Sequence, residues 1–282
     1  MFVVYLAAMA IRVLDDRQRE LVFIRPPRRI VSLVPSDTLN VSALGFGVVG
    51  RTRYCDGDAP IVGGTKDVDV EAVARLEPDL ILANQEENSR VHLEELARLD
   101  LPILIAFPRT VADGIAHLAR LAKILQADAR DLIRRGYAML SSPAPQPPLR
   151  AFVPIWMDPL MTVNRHTFMS DALRLAGAGN VFADRERRFP LAADLGQAVP
   201  TPAGTRDTRY PRITFDEVVE RKPEAILLPD EPHPFSEEDA AVFRARVPAA
   251  RVVRCGGRDF SWYGAQSIEG IPRLRALVDS LR

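Results

Sequence analysis

The chain has 282 residues, 47% of them hydrophobic and 26% charged, with Lys plus Arg and Asp plus Glu both at 37. This length exceeds what one hydrophobic core comfortably fills and points to two lobes. Zero formal net charge argues against a nucleic-acid surface and an acidic solvating tail, and Cys55 and Cys255 form neither a disulfide framework nor a CxxC zinc pair.

No run of about 18 apolar residues occurs, so no transmembrane helix is expected. Residues 1–10, MFVVYLAAMA, have an apolar core of signal-peptide length and end in Ala8-Met9-Ala10, which resembles a cleavage site, yet they lack a basic n-region. The alternatives are an extra N-terminal strand or a start at Met9. No cysteine lies there to take a lipid anchor.

IRVLDDRQRELVF alternates around Asp15-Asp16 and reads as a hairpin. RIVSLV is a buried-strand candidate, followed by a helix capped by Ser36 or Asp37 that stops at Gly45 and Gly47. A short strand is expected at Val48–Gly50. Asp69 then caps a helix over Val70–Leu76, Pro78 closes it, and Leu80–Ala83 is a strand. His92–Leu99 is helical and Pro102–Phe107 extended. From Thr110 to about Leu140 the helical period persists with no strand between, which predicts one long helix bent near Asp128 or Gly136. Ser141–Leu149 is a proline-rich linker. Beyond it come a strand at Ala151–Trp156, a helix over Thr167–Leu175, a strand at Ala250–Cys255 and a terminal amphipathic helix.

Short apolar strands alternating with helices predict an α/β fold with parallel sheets. The segment VEAVARLEPDLILA at Val70–Ala83 returns as FDEVVERKPEAILL at Phe215–Leu228, and the acid precedes the proline by the same interval in both, Glu71 to Pro78 and Asp216 to Pro223. Strand, helix, glycine stop, acid-led helix, proline and strand recur in that order, which reads as a duplication. The expected domains are an N-terminal lobe at 1–109, an interlobe helix at 110–140, a linker at 141–150 and a C-terminal lobe at 151–282. Two such lobes are expected to leave a cleft beyond the carboxyl ends of their strands.

RIVSLVPS, the first repeat, the long helix and the second lobe resemble the helical-backbone periplasmic binding proteins of ABC importers, over roughly Ile11 to Leu281. The phrases VGGTKDVDVE, NQEEN and WMDPLMTVNRHTFMSDALRLAGAGNVF lie nearest the cobalamin-binding branch. The resemblance implies two similar Rossmann-like lobes, a small-molecule ligand and membrane subunits of an importer as partners; a monomer is expected. It implies that Glu71 and Asp216 dock onto arginines of those subunits, with Glu217 as an alternative acid. A repeated acid in a helix's first turn is also what the helix dipole favours.

By the family's pattern the ligand contacts are Tyr54, Thr65, Trp156, Met161, Tyr210, Trp262 and Tyr263. A broad corrinoid needs flat apolar faces and a few donors, which Trp and Tyr supply; packing against neighbouring loops is the other role open to them. Thr65 beside Lys66 stands where close cobalamin binders have a tryptophan, which leaves room for an anionic ligand with Arg53, Arg165 and Arg258 within reach. Glu86-Glu87-Asn88 at a strand end admits acid/base work, but no partner nucleophile, GxSxG, P-loop or GxGxxG accompanies it, so an enzyme is not expected, nor a resident cofactor or metal. His92, His117, His166 and His233 have no ligand spacing, and Cys55, His166 and Cys255 are the alternative as a soft-metal set.

The sequence therefore predicts a substrate-binding protein that captures cobalamin or a related corrinoid or metal chelate for an ABC importer, located outside the cytoplasm. The alternatives are a ferric-siderophore or haem binder on the same fold, and a cytoplasmic chelatase-like or corrinoid-handling protein.

Overall fold

A computed structural model describes residues 10–282. The expectation of a signal or extra strand at residues 1–10 therefore lies, apart from Ala10, outside the described residues. The chain divides into two compact units. The first holds residues 10–108, 112–137 and Tyr263–Gln266, and the second holds Arg109–Val111, Ala138–Trp262 and Ser267–Arg282.

The first unit opens with the expected hairpin, β1 (Ile11–Leu14) and β2 (Glu20–Phe23), paired antiparallel. There follow β3 (Ile30–Ser32), α1 (Pro35–Ala43), β4 (Gly50–Arg51), α2 (Val70–Arg75), β5 (Leu80–Asn84), α3 (Arg90–Arg98), β6 (Ile103–Ala106), α4 (Val111–Leu125) and α5 (Arg130–Ser141). In the second unit come β7 (Leu149–Phe152), β8 (Pro154–Met157), β9 (Leu160–Thr162), α6 (Phe168–Leu175), β10 (Ala178–Asn180), α7 (Leu191–Asp194), α8 (Phe215–Arg221), β11 (Ala225–Pro229), α9 (Glu237–Arg246), β12 (Arg251–Cys255), α10 (Arg258–Ser261) and α11 (Ala265–Ser280).

Both main sheets are four-stranded and parallel, ordered β4-β3-β5-β6 and β10-β7-β11-β12. Each begins with its central strand and adds the others in the same sequence, so the repeat legible in the chain is a repeat of topology. The cores differ in filling. The first is aliphatic, around Val31, Leu33, Val73, Ile81, Leu96 and Ile105. In the second, Phe243 is a hub whose ring centroid lies 6.0 Å from Phe152, 5.2 Å from Phe215 and 6.3 Å from Phe235.

The duplicated segment is more detailed than its sequence. Asp69 caps α2 by accepting from Ala72 N–H at 2.8 Å, and Thr214 caps α8 by accepting from Glu217 N–H at 3.2 Å. Each helix then reverses through a non-glycine residue of positive φ just before the proline, Glu77 at 44° and Lys222 at 48°. An arginine closes each helix. Arg29 Nη2 donates to Leu76 O at 2.6 Å and its Nε to Glu77 O at 3.1 Å; Arg150 Nε donates to Lys222 O at 3.3 Å and its Nη2 to Arg221 O. The residue after the proline answers that arginine. Asp79 accepts from Arg29 N–H at 2.7 Å, and Glu224 accepts from Arg150 N–H at 2.8 Å. Orphan helix carbonyls and a strand start are thus satisfied by one clamp, used twice.

Two expectations for helices need correction. The cap of α1 is Val34, with Pro35 at the first helical position, not Ser36 or Asp37. The single long helix expected over 110–140 is a pair, α4 and α5. Gln126 takes φ 52° and Ala127 N–H donates to Ala122 O at 2.9 Å, the closing pattern of a helix C-terminus. The break contains Asp128, one of the two expected bend positions, and Gly136, the other, is not a bend. A Cβ there would lie 2.9 Å from Ile115 Cδ1, so the glycine lets α5 pack back closely on α4. The chain crosses between the two units within α5, after Tyr137, and also on either side of Arg109–Val111 and of Tyr263–Gln266.

Replacing either clamp arginine, Arg29→Ala or Arg150→Ala, is expected to lower stability by about 1 kcal/mol. Because the two clamps share no partner, the double variant should lose the sum, read from urea midpoints at unchanged slope. A double variant no worse than one single would show that the clamps are decorative.

Candidate functional site

In each unit the parallel strands end on a set of loops that carry most of the expected ligand residues. In the first unit Asn88, 4% exposed, gathers these loops: its Nδ2 donates to Leu33 O and to Thr65 O, both at 3.1 Å. Asn84 Oδ1 accepts from Glu86 N–H at 2.7 Å, and Lys66 Nζ donates to Glu86 O. Thr65 is therefore fixed through its carbonyl and is half-buried. Tyr54 follows β4 and is 57% exposed, with the Arg53 guanidinium 5.8 Å from its ring centroid. Arg53 is itself held by Asp67 through contacts of 2.9–3.1 Å, which leaves it a structural partner of the loop. The Glu86-Glu87 pair sits at the end of β5 as expected, within this turn.

In the second unit β8 and β9 form an antiparallel hairpin just beyond the end of β7, where the sequence suggested one continuous strand to Trp156. The hairpin pairs Trp156 with Met161. Trp156 is 45% exposed, its Nε1 donates to Asp158 O at 3.1 Å, and its ring lies 5.1 Å from that of His233, in the loop after β11. Sequence reasoning gave His233 no role, since nothing in its spacing showed that the β11 loop reaches the hairpin. Gly257 approaches the same loop so closely that a Cβ would lie 2.3 Å from Glu231 Cγ, and Ser261 Oγ donates to Glu231 at 2.6 Å. Tyr210 is half-buried beside Met161's neighbour Arg212, with Arg209 5.3 Å from its ring.

Trp262 and Tyr263 are placed differently from the expectation of open ligand faces. Trp262 is 6% exposed, and Arg258 covers its ring at 4.2 Å. Tyr263 is 3% exposed and belongs to the first unit, where its hydroxyl donates to Asp37 at 3.0 Å. Burial, then the charge of Asp37, pushes the Tyr263 hydroxyl well above its ordinary range. Asp37 is fully buried and also accepts from His117 Nε2 at 2.9 Å and Asn40 Nδ2 at 3.1 Å. Asn40 Oδ1 in turn takes Ala265 N–H at 2.8 Å, and Gly264, at φ 80°, leaves no room for a Cβ beside it.

Glu71 and Asp216 lie in the first turns of α2 and α8 with side chains 91% and 88% exposed. Each has a loose cation nearby, Arg75 at 3.7 Å and Arg246 at 3.5 Å. Glu217, the alternative acid, is engaged by Arg185 at 2.9 Å. Both cysteines are free; burial raises the Cys255 thiol to about 12 and raises that of Cys55. Among the described residues no group of three or more His, Cys, Asp or Glu is placed to hold a metal, which leaves the Cys55–His166–Cys255 set without support.

Two outcomes follow from this geometry. Acrylamide should quench Trp156 readily and Trp262 weakly, measured on Trp156→Phe and Trp262→Phe; equal quenching would show Trp262 to be open. Asp37→Ala should cost about 3–5 kcal/mol, because it strands buried donors on His117, Asn40 and Tyr263; a loss near zero in thermal unfolding would remove Asp37 from its structural role.

No family model matches the chain. A vitamin B12-binding protein of Pectobacterium atrosepticum is 28% identical, the match covering 72% of this chain and 71% of the relative. One of Yersinia pestis (strain Pestoides F) is 29% identical over 71% of this chain and 69% of the relative. Among solved structures, the periplasmic vitamin B12 binding protein BtuF of Vibrio cholerae superposes with a TM-score of 0.65 at 19% identity, covering 91% of this chain and 98% of that one. The periplasmic heme-binding protein RhuT from Roseiflexus sp. RS-1 does so with a TM-score of 0.71 at 17% identity, covering 90% and 99%. With its two four-stranded parallel sheets, the chain shares the fold of these solved periplasmic binding proteins, and in sequence it is similar to the vitamin B12-binding proteins.

Proposed function

We propose that the chain is a substrate-binding protein that captures cobalamin or a related corrinoid and delivers it to an ABC importer from outside the cytoplasm. The likeness to vitamin B12-binding proteins over about 70% of both chains carries this reading. The exposed rings of Tyr54 and Trp156, each on a carboxyl-end loop, supply the flat faces that a macrocycle needs. A heme ligand is the second reading, favoured by the heme-binding protein among the similar structures.

Titration with cobalamin should quench Trp156 fluorescence with a Kd of about 10 μM or tighter, near −7 kcal/mol. Tyr54→Ala and Trp156→Ala should each weaken binding by about 1–3 kcal/mol without unfolding the protein, as expected for loss of a buried ring face. Binding of hemin but of no corrinoid would replace the first reading with the second.

Glu71 and Asp216 are the proposed docking contacts with the importer's membrane subunits. Both helices are capped by other residues, so the acids are not needed to start them. Glu71→Ala with Asp216→Ala should leave ligand affinity unchanged and slow association with the reconstituted transporter, and the deficit should shrink as salt is added. Each change should cost only about 0.3–1 kcal/mol of stability through the helix dipole. Unchanged association at low salt would reduce the acids to helix-start features.

A further inference from the structure

In the second unit, the stretches 183–188 and 207–213 run alongside one another. Arg187 N–H donates to Thr208 O at 2.8 Å, and Arg185 Nη2 donates to Arg212 O at 3.2 Å. Asp194, 2% exposed, is the carboxylate between them. Its Oδ1 accepts from Arg185 Nη1 and from Arg188 N–H, both at 2.9 Å, and its Oδ2 accepts from Arg212 N–H at 2.7 Å. The carboxylate is thus taken up by one guanidinium and two backbone amides. The other nearby acids are also committed: Asp207 to Arg209 at 2.6 and 2.9 Å, and Glu217 to Arg185 at 2.9 Å.

The side chains of Arg187 and Arg212 are left over. Among the described residues neither makes an ion pair within 4.0 Å. Arg187 lies 4.7 Å from the Phe189 ring, which Arg206 also covers at 3.9 Å, and the Arg187 Nε is buried with no hydrogen-bond acceptor. Arg212 Nη1 reaches only the carbonyl of Tyr210, at 3.0 Å. Burial, then the charge of Arg187, lowers the Arg212 pKa, against the pull of Asp194. The like charges of Arg187 and Arg212 act on each other with only Asp194 and Asp207 to offset them, and one buried donor goes unanswered, which is costly unless an acceptor completes the site.

We propose that Arg187 and Arg212 form an anion site that takes a phosphate group. Two planar guanidinium forks match a phosphate's oxygens with charge-assisted bonds. The site adjoins the candidate ligand surface: Arg212 bridges to Met161, and Met161 pairs with Trp156. A corrinoid that keeps its nucleotide loop carries such a phosphodiester, whereas cobinamide does not. That the phosphate arrives on a corrinoid rests on the proposed function; the anion site itself does not.

Inorganic phosphate is titrated calorimetrically at low salt into the wild-type protein, Arg187→Gln, Arg212→Gln and the double variant, with folding checked by circular dichroism. Phosphate should bind the wild type, at least about tenfold more weakly the double variant, and more weakly at high salt. If the double variant does not fold, the singles decide, each losing part of the affinity. In parallel, the wild type should prefer cobalamin over cobinamide, and the variants should lose that preference. Phosphate binding that is absent, or unchanged by the substitutions, overturns the proposal. Binding that depends on the arginines without any corrinoid preference supports the site and assigns it to free phosphate. Failure of both corrinoids to bind counts against the function proposed above, while the phosphate titration still decides the site.

Discussion

A buried carboxylate on α1 organises the first unit. Asp37 has no solvent to stabilise its charge, so its three donors, from His117, Asn40 and Tyr263, must supply what water does not. Those donors come from α1 itself, from α4 and from a short stretch near the far end of the chain. Their geometry fixes which residues can sit around them: Gly264 is required by the Asn40 side chain, and the Tyr263 ring meets His117 edge-on at 5.6 Å. Tyr263, which looks like a ligand face in the sequence, is thereby drawn into packing.

The second constraint is backbone accounting at the end of a short helix. α2 and α8 span only Val70–Arg75 and Phe215–Arg221, so their unpaired carbonyls are a large share of each. Arg29 and Arg150 answer those carbonyls, and Asp79 and Glu224 hold the arginines' own amides. The clamp explains why both halves keep proline, a reversed residue and an acid in the same order while their cores diverge into aliphatic and aromatic fillings. With the caps supplied by Asp69 and Thr214, the acids at Glu71 and Asp216 project freely from equivalent places.

Much of this was legible in the sequence because buried parallel strands are short apolar runs between breakers: β3, β5, β6, β11 and β12 all fall where the sequence places a strand. The Asp69 cap follows from side-chain chemistry alone. Helical periodicity could not separate α4 from α5, because the reversal uses Gln126 rather than glycine, and the glycine that drew attention, Gly136, serves close packing. Exposure was equally hidden. Trp156 and Trp262 both follow strand ends, yet only one is open, since that depends on a hairpin and on Arg258 overhead. The Arg187–Arg212 pair lay in a stretch without periodicity, and only tertiary pairing brings its two ends together.

The bond from Tyr263 to Asp37 joins residues 226 positions apart. A ribosome releases the aspartate 226 residues before the tyrosine, so over that interval of synthesis the nascent first unit carries a buried acid whose hydroxyl partner has not been made. A cut at the proline-rich linker would therefore separate the first unit from Tyr263–Gln266, a segment of its own, and leave its buried carboxylate one donor short.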